Sequence, residues 1–250
     1  MPPRYEVIGI EGLPEIAPGA DLGSLIARAA AAQGTPLAPD DLLVVSQKIV
    51  SKAEGRIVRL GDVVPSPEAA AMAAELGRDP RLVEVILRES RRVVRRDKGV
   101  LIVETRHGWI CANAGVDQSN VDADTASLLP EDSDRSARAL RERLLELAGH
   151  APGVVVADTF GRPWREGLTN VAIGVAGLGP LRSYLGEKDP AGHVLQATIL
   201  ALADELACAA ELVMGKLDRI PAAIIRGLDW PRGTGDSRAL LRDPARDLFR

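Results

Sequence analysis

The sequence is poor in the residues that hold disulfide frameworks and zinc sites together. Cysteine occurs only twice in 250 residues, at Cys111 and Cys208, and neither belongs to a CxxC pair. This argues against a disulfide framework and a thiolate zinc site, and it fits a reducing compartment. The three histidines, at positions 107, 150 and 193, form no HExxH motif, which argues against a zinc hydrolase.

Long apolar runs are missing as well. No stretch reaches the length of a membrane span, and residues 1–10 lack the charged and apolar regions of a signal peptide. We therefore expect a cytoplasmic protein without a membrane partner. The 31 basic residues are outnumbered by 35 acidic ones, for a formal net charge of −4, so the charge gives no reason to expect a nucleic-acid partner.

Basic residues nevertheless cluster around two valines, Val93 and Val94. The spacing of the cluster is helical and predicts the solvated face of a helix over 80–94, with a polyanion site as the alternative. Its members are Arg88, Arg91, Arg92, Arg95, Arg96 and Lys98.

The rest of the chain alternates apolar and polar segments in the pattern of a mixed α/β protein. Its 46% hydrophobic and 26% charged residues argue against disorder. Strands are predicted at 5–10, 42–45, 99–104, 109–114, 154–157, 171–175 and 221–225, with a hairpin between the third and the fourth. Helices are predicted at 21–33, with Asp21 as its cap, and at 67–76, 80–94, 135–148 and 192–213, of which the last is the longest. The order of the strands does not follow from the sequence.

Candidate chemistry concentrates in four polar stretches at the ends of apolar segments, at 12–15, 46–55, 113–120 and 158–167, where sheet proteins usually place their sites. Asp117 and Asp158, with the Thr159 hydroxyl, are hard oxygen ligands of the type that Mg²⁺ or Mn²⁺ prefers beside phosphate oxygens. Lys48 and Lys52 are four residues apart, so on a helical turn both ammonium groups share a face suited to a polyphosphate. The alternatives are turn or cap roles for the aspartates and solvation for the lysines.

Several familiar motifs are absent. Gly215-Lys216 lacks the leading glycine and the following hydroxyl of a P-loop, and no GxSxG elbow occurs. Gly174, Gly177 and Gly179 follow the order GxxGxG instead of the dinucleotide-binding GxGxxG. Close backbone packing is therefore the better interpretation of these glycines.

Four strings of the sequence resemble the coenzyme F420-0:L-glutamate ligase family, where F420 names a deazaflavin cofactor. They are VVSQKIVSKAEGRIV, NAGVDQSN, ADTFGRPWREGLTNVAIG and MGKLDRIPAAIIRG. The resemblance extends in order and spacing from about residue 6 to the C-terminus. It implies a two-domain α/β fold peculiar to the family, with two intertwined subdomains within 1–250, in a stand-alone form that acts as a homodimer.

The resemblance also implies ligands and their positions. The family uses GTP, two divalent ions (Mg²⁺ or Mn²⁺) and K⁺ to add γ-linked L-glutamate to coenzyme F420-0. By position, Asp117, Asp158 and Thr159 would hold the divalent metals, and the loop 214–221 would line the nucleotide site, although Lys216 stands where some members place a metal ligand. The nucleotide would lie against Leu13, Pro14, Glu15, Ile16, Ser46, Gln47, Lys52 and Asn120.

These residue types suit the phosphorylation of a carboxylate. The expected route transfers the γ-phosphoryl group of GTP to the terminal carboxylate of the precursor, and the amine of glutamate then attacks the acyl phosphate. Asp117 and Asp158 would act through the metals, and Lys52 would add positive charge. Trp164 and Phe160 are candidates for a platform under the flat deazaflavin, with packing of their own loop as the alternative. The competing hypotheses are another metal-dependent phosphoryl-transfer or phosphate-hydrolysing enzyme, and a catalytically silent nucleotide-binding module.

Overall fold

The structure, a computed structural model, describes residues 2–97 and 99–247, and it confirms the mixed α/β class. The strands are β1 Glu6–Gly9, β2 Leu42–Ser46, β3 Ile57–Arg59, β4 Ser90–Asp97, β5 Val100–Thr105, β6 Ile110–Ala112, β7 Thr125–Ser127, β8 Gly153–Arg162, β9 Arg165–Ala176, β10 Arg182–Ser183, β11 Ile199–Leu200 and β12 Ala222–Arg226. The helices are α1 Leu22–Ala32, α2 Gln47–Ala53, α3 Pro67–Leu76, α4 Pro80–Arg88, α5 Ser133–Ala148 and α6 Leu202–Met214, with short 3-10 turns between some of these elements.

A five-stranded sheet in the order β1-β12-β2-β8-β9 forms the centre of the fold. Its neighbours β2 and β8 run parallel, and the other pairs are antiparallel. Residues 42–45 of β2 are fully buried, as expected for a strand that is covered on both faces. Because β2 and β8 are parallel and Ser46 pairs with Ala157, both strands run toward the same edge of the sheet, and β8 continues past the end of β2.

Helices cover both faces of this sheet. Successive residues of a strand face opposite sides, so Val156 packs with Ile26 of α1 and Leu144 of α5, whereas Val155 packs with Leu206 of α6. The sheet therefore separates two apolar cores. The polar ends of its strands are left free to form a site.

A third hydrophobic cluster lies outside these two cores. Helices α3 and α4 pack there on the antiparallel sheet β4-β5-β6, around Met72, Ile86 and Val103, and the pair β3-β7 contributes Ala126. The division of the chain into two intertwined subdomains stays a prediction.

The predicted helix over 80–94 is wrong in its second half. Helix α4 ends at Arg88, and β4 follows and pairs with β5. The β-branched Val93 and Val94 favour a strand, and pairing with β5 outweighs the helical spacing of the arginines. The basic residues after Arg88 therefore belong to a strand instead of a helix face, and Lys98 lies outside the described residues.

The helix predicted over 192–213 is also too long. Helix α6 begins at Leu202, and the hairpin β10-β11 precedes it. Asp204 and Glu205 lie in its first turn, where carboxylates stabilise a helix N-terminus. With 13 residues α6 is shorter than the 16-residue α5, so the prediction of the longest helix is wrong. Nowhere in 2–97 or 99–247 does a helix have both the length and the apolar character needed to cross a bilayer.

Strand β8 is longer than predicted and contains Asp158 and Thr159 instead of ending before them. It continues to Arg162 and turns through Pro163 and Trp164 into β9. The two strands form a hairpin, and their cross-strand pairing stabilises the extension. Strand β9 begins at Arg165, well before the predicted start at 171. The other predicted strands and helices, including the hairpin β5-β6, are confirmed to within a few residues.

Close backbone packing explains Gly174, as predicted. A Cβ atom at this position would overlap the carbonyl group of Ser133 at the start of α5. The close approach lets Asp134 accept a hydrogen bond from the backbone N of Val175 at 2.7 Å and one from the backbone N of Ser237 at 3.0 Å. Asp134 thereby covers part of the free edge of β9.

Candidate active site

The candidate site lies where β2 ends and its parallel neighbour β8 continues. Ser46 is the last residue of β2 and pairs with Ala157, so Asp158 and Thr159 extend beyond the point that β2 reaches. Ser46 Oγ also accepts a hydrogen bond from the backbone N of Lys48 at 3.3 Å and so caps α2. The chain therefore turns away into α2 and leaves Asp158 and Thr159 beside loops.

The loop that carries Asp117 has an unusual backbone. Asn113, Ala114 and Gly115 have φ angles of 55°, 55° and 69°, in a region that costs a non-glycine residue about 1–2 kcal/mol. Arg78 supports this turn, because its Nη1 donates a hydrogen bond to Asn113 Oδ1 at 2.6 Å. The chain reaches Asp117 two residues later, so the turn fixes the position of that carboxylate.

Lys48 connects α2 to the same loop. Its ammonium group forms a short ion pair with the Asp117 carboxylate and donates to the Ser119 carbonyl oxygen at 2.9 Å. The backbone N of Ser119 in turn donates to Asp117 Oδ1 at 2.9 Å. The Lys48 side chain is 16% exposed and the Asp117 side chain 44% exposed, so water still reaches the pair from the Asp117 side. The sequence predicted that Lys48 and Lys52 share a face suited to a polyphosphate. In the structure the two lysines have different partners, since Lys48 pairs with Asp117 and Lys52 with Glu15.

The charges of Asp117 and Asp158 are compensated to different degrees. Burial acts to raise the pKa of Asp117, but hydrogen bonds from Lys48 and from its own loop outweigh burial and lower the pKa. Burial raises the pKa of Asp158 to about 6, against a backbone hydrogen bond and the attraction of Lys48 and Lys216, and the Asp117 charge adds to the rise. The two carboxylates are thus close enough to repel each other, and Asp158 has the charge that is poorly neutralised.

Thr159 belongs to a closed ring of four polar side chains. Its hydroxyl donates to Asn170 Oδ1 at 2.7 Å and accepts from Lys216 Nζ at 2.7 Å. Glu211 closes the ring, since it accepts from Asn170 Nδ2 at 2.9 Å and pairs with Lys216 at 2.5 Å. Thr159 and Asp158 follow one another on β8 and face opposite sides, but Lys216 acts on both of them.

Two residues of this ring, Asn170 and Glu211, were not found by sequence reasoning. The hairpin β8-β9 pairs Thr159 with Asn170, so a prediction that joined the two strands would have indicated this partner. Glu211 belongs to α6 and is 41 residues away from Asn170 in the sequence. No local pattern indicates it.

The residues assigned to the nucleotide lie around α2 and the loop after β1. Lys52 forms an ion pair with Glu15, which brings two of the predicted residues together. Gln47 is buried, and its side-chain oxygen accepts a hydrogen bond from Ser51 Oγ at 2.8 Å. The remaining members divide into Leu13 and Ile16, which pack against the core, and Pro14 and Asn120, which are exposed.

A cleft of about 570 Å³ opens beside these residues. Residues 11–13 line one side of it, and residues 218–220 line the other. Both segments belong to, or directly adjoin, the loops that the sequence assigned to the nucleotide, and the volume is in the range of small-molecule sites.

Known proteins match this chain over nearly its whole length. A family model described as F420-0:Gamma-glutamyl ligase matches residues 11–227, a range that contains Lys48, Asp117, Asp158 and Lys216. The chain belongs to this family. The predicted family is therefore confirmed, and with it the prediction that the chain is a ligase.

Three relatives of this ligase carry the name Coenzyme F420:L-glutamate ligase. The protein of Methanothermobacter thermautotrophicus is 47% identical over 98% of each chain. The protein of Methanopyrus kandleri is also 47% identical, over 99% of this chain and 97% of its own. The protein of Methanocaldococcus jannaschii is 41% identical over the same shares of the two chains.

The donor set of this F420-0:gamma-glutamyl ligase family member fits a divalent ion at Asp117 and Asp158. The raised pKa of Asp158 marks a negative charge that a cation would neutralise, and Mg²⁺ is commonly held by one or two carboxylates together with phosphates and waters. In the described part of the chain, no three His, Cys, Asp or Glu side chains converge on a complete metal site. The Thr159 hydroxyl already binds Lys216 and Asn170, so a second ion at Thr159 would have to displace Lys216.

The two aromatic candidates for a deazaflavin platform lie in different surroundings. Phe160 packs against the core on the α5 side of the sheet. Trp164 is 77% exposed at the turn between β8 and β9. Of the two, Trp164 stays the candidate for stacking on a flat ring.

Proposed function

We propose that this ligase forms an amide bond between the terminal carboxylate of coenzyme F420-0 and the amine of L-glutamate, uses GTP, and then adds further γ-linked glutamates. The observation that carries the proposal is the pair of neighbouring carboxylates, Asp117 and Asp158, in a member of the F420-0:gamma-glutamyl ligase family. The names of the relatives support the two substrates. GTP and the acyl phosphate rest on the resemblance described above.

The proposed reaction has two balanced steps. An oxygen of the acceptor carboxylate attacks the γ-phosphorus of GTP, the bond to the β-phosphate oxygen breaks, and GDP leaves. The nitrogen of glutamate then attacks the acyl carbon, the bond to the phosphate oxygen breaks, and inorganic phosphate leaves while the nitrogen loses a proton. A divalent ion held by Asp117 and Asp158 would neutralise charge on the transferred phosphoryl group.

The cationic side chains of the chain support the first step. Lys48 holds Asp117 in position, and Lys216 places a positive charge next to Thr159 and close to Asp158. Lys52 is paired with the exposed Glu15, whose side chain is 83% exposed. The Lys52 side chain is only 15% exposed, but water screens the pair from the Glu15 side and weakens it, so Lys52 can exchange Glu15 for a nucleotide phosphate.

The remaining expectations are part of the same proposal. The ligase acts as a homodimer of two-subdomain chains in the cytoplasm, and it uses K⁺ beside Mg²⁺ or Mn²⁺. These statements rest on the resemblance to the family. The cleft beside residues 11–13 and 218–220 would receive the nucleotide.

Mass spectrometry of a reaction with coenzyme F420-0, GTP, L-glutamate and Mn²⁺ tests the proposal. We expect a product heavier by one or more glutamyl residues, with one GDP and one phosphate released per bond. Asp117→Asn and Asp158→Asn should each abolish ligation at limiting Mn²⁺ and leave the circular dichroism spectrum unchanged. Phosphate release at the full rate without glutamate, and without a gain in mass, would instead indicate a hydrolase. ATP used as efficiently as GTP would contradict the choice of nucleotide.

A further inference from the structure

A second cavity, of about 610 Å³, lies on the α5 side of the central sheet. The turn between β5 and β6, the start of α5 and the 3-10 turn at 237–240 form its walls. Trp109 and Ile173 contribute apolar surface, and the rest of the lining is rich in charged groups. Neither step of the proposed reaction uses a residue of this cavity.

Most charged groups in the lining already have partners within the protein. Arg56 pairs with Glu89 at 2.8 Å. Asp134 accepts hydrogen bonds from Ser237, and Asp132 accepts one from the first turn of α5 as its cap. A further lining residue, Arg91, pairs with a glutamate of β5. Each of these groups is therefore already engaged within the protein.

Three charged side chains of the lining differ from this group. Within 2–97 and 99–247, the guanidinium groups of Arg106 and Arg238 and the carboxylate of Glu131 make no ion pair or hydrogen bond, and all three residues are exposed. The lining also contains His107, whose Nε2 contacts the Glu131 carbonyl oxygen at 2.9 Å. His107 Nδ1 is buried and has no partner among the described residues, a state that costs about 1–3 kcal/mol unless a bound group satisfies it.

The cavity is also close to Asp158. Ile173 lies two residues along β9 from Val171, which is the Cα partner of Asp158. Two residues of a strand span about 7 Å. Trp109 directly precedes β6, and β6 packs against β8. A small molecule in the cavity can therefore reach the neighbourhood of Asp158 with one end.

Given the proposed function, on which this inference rests, we propose that the cavity binds the incoming L-glutamate. The free groups of the lining are two guanidinium groups and one carboxylate, and glutamate carries the complementary set of two carboxylates and one ammonium group. Arg106 and Arg238 would bind the two carboxylates, since a planar guanidinium matches a carboxylate with two parallel hydrogen bonds. Glu131 would bind the ammonium group, and His107 Nδ1 would gain a partner. The volume exceeds that of one glutamate, which leaves room for the end of the acceptor.

Steady-state kinetics on Arg106→Gln, Arg238→Gln and Glu131→Gln test this assignment. Each variant should raise the KM for L-glutamate roughly ten- to a hundredfold, the effect of losing a charged hydrogen bond. The KM for GTP should stay within about twofold of the parent, because the nucleotide is assigned to the other cleft. Arg28→Gln, an exposed arginine on α1, is the matched control and should change neither KM. Arg238→Lys keeps the charge and should restore part of the affinity.

The outcomes separate this inference from the proposed function. Ligation by the parent with an unchanged KM for glutamate in all three variants would overturn the cavity assignment and leave the function intact. A defect confined to acceptors that already carry glutamate would mean that the cavity binds the growing tail, which also overturns it. If the parent does not ligate at all, the proposed function fails. Equilibrium dialysis of labelled L-glutamate against the parent and the Arg106→Gln variant then still tests the cavity, and equal binding would reject it.

Discussion

The ammonium group of Lys48 joins helix α2 to the Asp117 carboxylate, and it donates to the Ser119 carbonyl oxygen of the same loop. Asp117 is 69 residues away in the sequence, so this single side chain fixes two distant segments of the site relative to each other. A lysine in this position orients a carboxylate that is proposed to hold a divalent ion. Its removal should therefore affect the response to the metal before it affects the fold.

We predict that Lys48→Met lowers kcat/KM roughly ten- to a hundredfold and raises the Mn²⁺ concentration needed for half-maximal rate. Lys48→Arg should recover part of the rate, because it keeps the charge but differs in length and shape. Initial rates over a Mn²⁺ series measure both effects. A Lys48→Met enzyme with the parent's Mn²⁺ dependence would show that Lys48 does not position Asp117.

The ion pair between Lys52 and Glu15 leads to a pair of opposite predictions. If Lys52 moves from Glu15 to a nucleotide phosphate, Lys52→Ala should lower the catalytic efficiency with GTP roughly ten- to a hundredfold. Glu15→Gln should leave Lys52 free and lower the KM for GTP by a few fold, since an exposed ion pair is worth about 1 kcal/mol or less. Kinetics with GTP as the varied substrate, with circular dichroism to confirm folding, test both. No change in either variant would mean that Lys52 only interacts with solvent and Glu15.

The sequence predicted the elements whose signal is local. The apolar run that stops at Ser46 indicated β2, because a strand covered on both faces needs continuous apolar residues. Asp21 indicated the start of α1, and its side chain accepts a hydrogen bond from the backbone N of Ser24 at 3.0 Å. The predictions failed at β4 and at the start of α6, where the pairing of β4 with β5 and the hairpin β10-β11 decided the structure.

The site shows the same division between local and distant information. Asp117 and Asp158 were selected because each follows an apolar segment, and the structure brings their charges together. The contact between Lys48 and Asp117 and the ring around Thr159 join residues from separate elements. Their proximity depends on strand order and hairpin register, which residue spacing does not encode. The assigned roles of these residues stay predictions until the variants are measured.

The two cysteines should differ sharply in their reactivity. Burial raises the pKa of the Cys111 thiol to about 12, and the nearby Asp158 charge adds to the rise. At pH 8 roughly one Cys111 in ten thousand is then a thiolate, the reactive form. Cys208 is only partly buried and donates to the Asn170 carbonyl oxygen at 3.2 Å. We predict that a thiol reagent at pH 8 modifies one thiol per folded chain and a second after denaturation. Cys208→Ser should remove the first reaction, and rapid modification of that variant would contradict the buried state of Cys111.

Neutralising the two aspartates of the metal-free protein should change its stability in opposite directions. Burial raises the pKa of Asp158 to about 6, so the folded chain binds more protons than the unfolded chain between about pH 4 and pH 6. The contribution of Asp158 to stability is therefore fully present below about pH 4 and is lost as the pH rises through 6. Burial acts to raise the pKa of Asp117, but the hydrogen bonds from Lys48 and from the loop outweigh burial and lower it. Its contribution is present above the unfolded pKa and is lost as the pH falls through the folded pKa.

At pH 7.5 with a chelator present, Asp158→Asn should therefore raise the free energy of unfolding by about 1–3 kcal/mol. Asp117→Asn should lower it by about 1 kcal/mol or less, because the Asp117 side chain is 44% exposed and its ion pair is screened by water. Urea unfolding at pH 7.5 and at pH 4.5 measures both differences, and the gain from Asp158→Asn should shrink at the lower pH, where the parent's Asp158 is protonated.

With saturating Mn²⁺ and GTP the advantage of Asp158→Asn should reverse, since a ligand that binds only the folded parent stabilises it. A metal-free Asp158→Asn protein that is less stable than the parent at pH 7.5 would show that the fold already compensates this carboxylate and that Asp158 needs no cation.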